Sequence, residues 1–190
     1  MSEDQCLTGD WGGIGYSDGA AGYTVDRLGA HRQACAKHGV VPNEASYMTG
    51  RARGLTIYCT PPSGFRAGRN GNTYGGVCPT SLERPFLAAY GDGRMVYDVQ
   101  QRINRARSEI STAEQTADSV DRQMREAEEQ LKSPTLTNDE KRAIRERLKR
   151  LRDERYSADE DRRQALYARD QADRDLDQLR GRFSRTYGGW

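Results

Sequence analysis

The sequence predicts an all-α protein: a small disulfide-stapled head of short helices that extends into an antiparallel coiled-coil hairpin. Three observations lead to this prediction. Apolar and small residues repeat at three- and four-residue steps through the middle of the chain, and the same spacing returns after a short turn. The first 94 of the 190 residues hold 17 of the 20 glycines and all four cysteines, whereas charged residues dominate the remainder. This shift marks the boundary between a turn-rich head and a charged helical part.

The first arm of the hairpin is the longest regular pattern in the chain. It contains a seam of Val96, Val99, Ile103, Ala106, Ile110, Ala113, Ala117, Val120, Met124, Ala127 and Leu131. A period of 3.5 residues is typical of a coiled coil and excludes a strand. Ser133 and Pro134 interrupt the pattern. Thr137 and Glu140 have the spacing of a capping box, which predicts that a second helix starts there.

The second arm continues the same register back along the first. Its seam is Ile144, Leu148, Leu151, Arg155, Ala158, Arg162, Ala165, Arg169, Ala172, Leu176, Leu179 and Phe183. We therefore expect a head over 1–94, an antiparallel hairpin over 95–183 with its turn near 133–138, and an aromatic tail over 184–190 that packs back on the head. Because three arginines alternate with alanines along this seam, and their stems can pack while the guanidinium groups reach water, the middle of the hairpin should be narrow, lined by alanine and weak.

Pairs of small residues four positions apart recur in the head, at Gly15 and Gly19, at Gly50 and Gly54, and at Ala89 and Gly93. Such pairs lie on one helical face and favour close crossing of helices. A sharper alternative is that Asp18 and Asp92, within two of these motifs, form a paired carboxylate site for proton transfer or a cation.

The segment between Cys59 and Cys78 is rich in glycine, proline and asparagine, which predicts a long irregular loop. A cross-link can hold such a loop as a purely structural element. Alternatively, it exposes a ligand or partner surface built from Phe65, Arg66, Arg69 and Tyr74.

The four cysteines allow three pairings, and local loops favour Cys6 with Cys35 and Cys59 with Cys78. His31, Cys35 and His38 share one helical face, so a zinc site is the competing interpretation, although no close cysteine pair accompanies them. A nucleophilic Cys35 lacks an evident orienting acid. We expect disulfides, no metal and no cofactor.

The ordered motifs of the head resemble those of an uncharacterised family of bacterial envelope lipoproteins, in which a coiled coil follows. The motifs are Cys-x4-Trp at 6–11, Gly-Tyr-x-Asp-Gly at 15–19 and Tyr-Cys-x-Pro at 58–61. The resemblance implies an exported protein with no established activity, whose signal segment and lipidated cysteine are absent from this sequence. It also implies a periplasmic location as an outer-membrane lipoprotein, with membrane association through that lipid anchor and disulfides formed in an oxidising compartment.

No catalytic motif is evident, so we expect a non-enzymatic envelope scaffold or adaptor that engages a protein partner through its hairpin. Tyr156, Arg162, Leu166 and Tyr167 are the expected partner-binding residues, because tyrosine and arginine are frequent in interfaces. The alternative function is a head that recognises an anionic envelope component through the segment between Cys59 and Cys78. The formal net charge of +2 gives no basic patch for nucleic acid. Homo-oligomerisation stays open.

Overall fold

The computed structural model describes residues 2–190, none of which lies in a β-strand. Helices account for 81% of the chain, which confirms the predicted fold class. The seven helices are α1 (Glu3–Thr8), α2 (Trp11–Ala20), α3 (Asp26–Ala36), α4 (Glu44–Tyr58), α5 (Pro61–Arg69), α6 (Thr80–Leu131) and α7 (Asn138–Tyr187). Within 2–190, no helix is long and apolar enough to cross a membrane.

The chain divides into two compact units. The head unit runs to Tyr97 and also includes Leu179–Trp190, whereas the hairpin unit comprises Asp98–Gln178. The last turns of α7 therefore belong to the head unit together with the C-terminal residues. The two units are described separately below.

Two of the head helices cross at glycines that bring their backbones together. A Cβ atom added to Gly15 of α2 would lie 2.1 Å from the carbonyl oxygen of Tyr47 in α4. On the other side of the crossing, a Cβ on Gly54 of α4 would lie 2.1 Å from the carbonyl oxygen of Tyr16. Since contacts this short are impossible, side chains at these positions would force the helices apart.

The same design recurs where α5 meets the start of α6. A Cβ on Gly64 would lie 2.4 Å from the carbonyl oxygen of Phe86, and a Cβ on Gly93 would lie 2.1 Å from that of Phe65. In both crossings a glycine with positive φ follows the first helix and faces a tyrosine ring: Gly22 faces Tyr58, and Gly71 faces Tyr97. The head is thus built from two similar helix crossings in tandem.

Helix α5 corrects the prediction of an irregular loop between Cys59 and Cys78. Pro61 and Pro62 occupy the first turn of α5, where their missing N–H groups are harmless. Gly64 and Gly68, which we interpreted as turn formers, lie one helical turn apart and provide the close contact with α6. The prediction was wrong because glycine spacing, rather than glycine content, determines the structure here.

Two disulfides fasten the head in the arrangement that the spacing favoured, Cys6 with Cys35 and Cys59 with Cys78. The first lies in a core with Trp11, Leu28 and Tyr47. The second lies in a separate core that includes Leu55 and Phe86. Closing a loop of 19 residues between Cys59 and Cys78 contributes roughly 3 kcal/mol in the chain-entropy account of disulfides.

An aromatic cluster completes the head, and it includes the tail rings that we expected to pack back on the head. Phe65 is 3% exposed, and its ring stacks on that of Tyr187 at a centroid distance of 4.3 Å. Phe183 and Trp190 also contact Phe65. The Tyr187 hydroxyl donates a hydrogen bond of 2.7 Å to Asp92. Burial and the Asp92 carboxylate raise the pKa of Tyr187 to about 12, so this donor keeps its proton at neutral pH.

In the hairpin unit, α6 and α7 pack against each other, and the periodic positions of both arms form the contact. The buried members are Val99, Ile103, Ala106, Ala113, Ala117, Val120, Ala127, Leu148, Leu151, Ala158, Ala165, Ala172 and Leu176. The capping box at the start of α7 is present, since Thr137 Oγ1 accepts from the Glu140 N–H and the Glu140 carboxylate accepts from the Thr137 N–H. The seam and its turn were therefore predicted correctly.

The close crossing of α2 and α4 predicts a sharp difference between two glycines. Gly19→Ala would place its Cβ 2.3 Å from the Arg51 carbonyl oxygen, so we expect it to lower the free energy of unfolding by about 2 kcal/mol or more. In Gly29→Ala, on α3, the added Cβ has no other atom within 4 Å. This substitution should raise the free energy of unfolding by about 0.5–1 kcal/mol, because alanine favours the helix. Urea unfolding of both variants tests this difference, and equal effects would contradict the close crossing.

Candidate functional site

A buried polar network in the head is centred on Asp18 in α2. His31 of α3 places its Nε2 atom 2.7 Å from Asp18 Oδ2, and the Tyr47 hydroxyl of α4 donates to the same oxygen at 2.9 Å. Asp18 and His31 are each 7% exposed, and Tyr47 is fully buried. A single carboxylate oxygen therefore links three helices.

The surroundings of the network keep the Tyr47 hydroxyl protonated. Burial, the hydrogen bond to Asp18 and the charge of that carboxylate raise the pKa of Tyr47 well above that of an ordinary tyrosine. The hydroxyl consequently stays a hydrogen-bond donor. The Nε atom of Arg27 lies 4.0 Å from the second Asp18 oxygen, Oδ1, and provides a partly exposed positive charge.

Asp18 and His31 also line a cleft of about 710 Å³ between α1, α2 and α3. Asp4, Asp10 and Arg27 contribute charged groups to its walls. Among the residues that the structure describes, the His31 ring is hydrogen-bonded to Asp18 alone, and Ser17 at the cleft donates to the Gly13 carbonyl of its own helix. The arrangement gives a carboxylate that orients an imidazole, but it brings no hydroxyl or thiol nucleophile to that imidazole.

The structure forms neither the paired carboxylate site of Asp18 and Asp92 nor the zinc or nucleophile site at Cys35. Asp92 is bonded to Tyr187, while Asp18 is bonded to His31 and Tyr47, so the two carboxylates serve different networks. The Cys35 sulfur is joined to Cys6 and cannot act as a thiolate ligand or nucleophile. Across residues 2–190, no group of three or more histidine, cysteine, aspartate or glutamate side chains could hold a metal ion.

The candidate ligand-binding residues between Cys59 and Cys78 do not form one exposed surface. Phe65 is buried beneath the C-terminal aromatic rings, so the expectation that it is exposed is wrong. The guanidinium of Arg69 lies 5.7 Å from the Trp190 ring, whereas exposed Arg66 donates to Ser63. Tyr74 is half-buried and donates to Glu83. The aromatic tail covers the segment because α5 presents Phe65 on the same side as Arg69, one helical turn away.

The expected partner-binding residues lie in different settings along α7. Tyr156 and Tyr167 are 68% and 64% exposed, and eleven residues, or three helical turns, separate them on one outward face. Arg162 lies on the seam, where its Nε donates to Glu114 of α6 at 2.8 Å. Leu166 is half-buried beside the seam.

Two of the three seam arginines form ion pairs across the hairpin, where we expected their guanidinium groups to reach water. Arg155 contacts Asp121 at 3.1 Å, in the same way that Arg162 contacts Glu114. The arginine stems occupy seam positions, while each guanidinium reaches a carboxylate of the opposite helix. Sequence reasoning missed these pairs because it considered the arginines alone, although alignment of the two arms about their turn brings the carboxylates alongside them.

The fold and its network define an all-helical, disulfide-bonded protein with a coiled-coil hairpin. Residues 10–95 match the model of a family described as protein of unknown function (DUF2799). The match covers Asp18, His31 and Tyr47 and supports an uncharacterised domain family for this part of the chain. No curated protein and no solved structure gives a significant match.

The shared Asp18 oxygen predicts coupled effects of substitutions at Asp18 and Tyr47. Tyr47→Phe removes one of the two hydrogen bonds to the shared Asp18 oxygen. It should lower the free energy of unfolding by about 1–2 kcal/mol. When Asp18→Asn is already present, the additional effect of Tyr47→Phe should be smaller, with a coupling energy of at least about 0.5 kcal/mol.

Denaturant unfolding of the two single variants and the double variant measures this coupling. Tyr16→Phe is the matched control, since Tyr16 is 40% exposed, and it should change stability by less than about 0.5 kcal/mol. Strict additivity of Tyr47→Phe and Asp18→Asn would show that the hydrogen bond contributes nothing to folding.

Proposed function

We propose that this protein is a non-enzymatic scaffold or adaptor of the bacterial cell envelope that engages a protein partner through its coiled-coil hairpin. The observation that carries the proposal is the pair of exposed tyrosines on α7, Tyr156 and Tyr167. Tyrosine offers a large contact area with little loss of side-chain entropy, and it is enriched at the energetic centres of interfaces. A continuous helix holds the two rings in fixed relative positions.

The composition of the seam supports the same proposal. Between Ala113 and Ala117 of α6 and Ala158 and Ala165 of α7, the contact is made by methyl groups rather than by leucine side chains. Two helices joined in this way bury little apolar surface, because each alanine buries much less than a leucine would. A partner packed on this stretch would bury additional apolar surface in the part of the hairpin where the two helices bury the least.

The organisation of the head supports a non-catalytic role. The Asp18 network joins α2, α3 and α4, and its strongest contacts are internal to the protein. Both disulfides and both helix crossings likewise fix the head as a rigid base.

The proposed location is the periplasm, with a lipid anchor that attaches the protein to the outer membrane. Two disulfides in a head of this size are typical of proteins that fold in an oxidising compartment. The resemblance of the head motifs to envelope lipoproteins supports the same location. Partners should accordingly be other envelope proteins.

The hairpin surface can be tested by affinity capture from envelope extract. The double variant Arg162→Ala/Tyr167→Ala should lose a specific partner, because it removes an exposed ring and a charged group from one region of α7. Tyr16→Ala removes a ring of the head that is 40% exposed and serves as the matched control. Capture profiles that are the same for the unmodified protein and the hairpin variant would contradict docking on this region.

The location can be tested by intact mass spectrometry of the protein isolated from cells, with and without reduction before thiol alkylation. We expect all four cysteines to resist alkylation until they are reduced, and we expect an acylated segment at the amino end. Free alkylation of all four cysteines on an unmodified chain would contradict both the disulfides and the envelope location.

A further inference from the structure

The imidazole of His31 keeps one nitrogen free at the cleft between α1, α2 and α3. Its Nε2 atom lies 2.7 Å from Asp18 Oδ2, and no other residue of 2–190 forms a hydrogen bond with the ring. His31 is 7% exposed and lines the cleft. Among the described side chains, the atoms that are both unpaired and sealed from solvent belong to Arg51, Arg155 and Trp190. Nδ1 of His31 is therefore unpaired but open to the cleft.

The hydrogen bonds of the network determine where the neutral ring carries its proton. The Tyr47 hydroxyl donates to the same Asp18 oxygen at 2.9 Å. Burial raises the pKa of Tyr47 well above its ordinary value, so this hydroxyl keeps its proton and the oxygen acts as an acceptor. Because an ionised carboxylate offers no donor, the proton between His31 and Asp18 belongs to Nε2. The lone pair of the neutral ring consequently lies on Nδ1, which gives the cleft a buried acceptor in a fixed orientation.

Charges on the cleft walls select the kind of group that can donate to this acceptor. Asp4 of α1 and Asp10 of α2 line the same cleft, and neither forms an ion pair within the described part of the chain. The Arg27 guanidinium lies beside Asp18 and 4.7 Å from the centroid of the Tyr23 ring, so its charge already faces a carboxylate. Unpaired carboxylates occur elsewhere on the surface, but these two share a cleft with a buried acceptor. Together they favour a positively charged donor.

Other classes of ligand suit the cleft less well. Apart from His31, no aromatic ring is found among its described lining residues, so a sugar or a nucleobase has no stacking surface there. An anion would meet two carboxylates. Residues 2–190 hold no group of three ligands for a metal ion. A primary ammonium has three N–H donors and no acceptor, so one such group can donate to Nδ1 and to a carboxylate at once.

We propose that this cleft binds a small organic molecule by its primary ammonium group, which donates to Nδ1 of His31 and is attracted by Asp4 and Asp10. The cleft volume of about 710 Å³ lies in the range of small-molecule sites. The ammonium can belong to a polyamine, or to an amino acid whose carboxylate would face Arg27. The site belongs to the head alone, so the inference goes beyond the hairpin docking proposed above.

The chain has two histidines, which makes imidazole NMR of the full chain a direct test. Long-range proton–nitrogen correlation spectra at neutral pH should show His31 protonated on Nε2 alone. Titration with putrescine should then shift the Nδ1 signal of His31. His38 is the internal control, since it lies outside the cleft with its Nδ1 atom 3.6 Å from Glu3, and its signals should not change.

Three probes of equal carbon-chain length separate the sources of the ammonium group. Putrescine carries two ammonium groups, γ-aminobutyrate carries one ammonium and one carboxylate, and butanediol carries neither. Tighter binding of putrescine, measured by calorimetry, would assign the cleft to a polyamine. Tighter binding of γ-aminobutyrate would assign it to an amino acid and give Arg27 the carboxylate. Butanediol should not bind detectably.

Two substitutions locate the probe in the cleft. His31→Gln keeps an N–H group at the position of Nε2 for Asp18 but has no lone pair at the position of Nδ1, so it should weaken binding by about tenfold or more. Ala30→Trp, at an exposed lining position of α3, should block binding without a change of charge. Ala36→Trp, at an exposed position of the same helix outside the cleft, is the matched control and should bind normally.

A pair of double variants separates local charge from net charge. Asp4→Asn/Asp10→Asn should weaken binding by about fivefold or more, and asparagine at position 10 still caps α2 because asparagine caps about as well as aspartate. Asp118→Asn/Asp153→Asn makes the same change in net charge at exposed positions of the hairpin and should alter affinity by less than about twofold. Equal losses in the two variants would mean attraction by net charge and overturn the inference.

Further outcomes would also overturn it. A His31 ring protonated on Nδ1 in the free protein would leave no acceptor. Absence of binding by both putrescine and γ-aminobutyrate, equal binding by butanediol, or full affinity in Ala30→Trp would reject the site without reliance on His31→Gln. None of these measurements involves a partner of the hairpin, so the proposed function and this inference can fail separately.

Discussion

The head depends on the close approach of helix backbones at glycine. Gly15 and Gly54 allow α2 and α4 to cross with no intervening side chains, and Gly64 and Gly93 do the same for α5 and α6. This approach brings Asp18 within reach of Tyr47, since a wider crossing would lengthen a hydrogen bond that is now 2.9 Å. The buried carboxylate is therefore a consequence of the crossing, and the two together fix the relative positions of three helices. The disulfides then fasten elements that the crossings have already brought together.

The hairpin is held by a different balance of interactions. Leucine and valine form the contact towards its ends, for example at Val99 and Leu176. In its middle, alanines alternate with arginines whose charges reach across to the other helix. The third seam arginine, Arg169, pairs instead with Asp170 and Asp173 of its own helix, and an open groove lies between the two arms beside Ala113, Ala158 and Ala165. The middle of the hairpin thus relies on charge pairs where its ends rely on apolar burial.

Most of the architecture could be predicted because it follows from spacing. The 3.5-residue seam, the capping box and the local loops between cysteines each require only one chain segment and one physical rule. Helix α5 was missed because Gly64 and Gly68 were read as turn formers, whereas their role depends on the partner helix. The Asp18 network could not be predicted in this way, because it joins residues from three separate helices. The pairing of Arg155 with Asp121 and of Arg162 with Glu114 likewise becomes visible only when the two arms are aligned about their turn.

The position of the aromatic cluster affects the order in which the protein can be completed. Phe65 precedes the hairpin in the sequence, whereas the rings that cover it, Phe183, Tyr187 and Trp190, follow the hairpin. The entire hairpin must therefore be synthesised before the head can bury this residue. A chain interrupted anywhere along α6 or α7 exposes an aromatic surface of the kind that quality-control systems recognise. The C-terminal rings thus make the burial of Phe65 depend on synthesis of the whole hairpin.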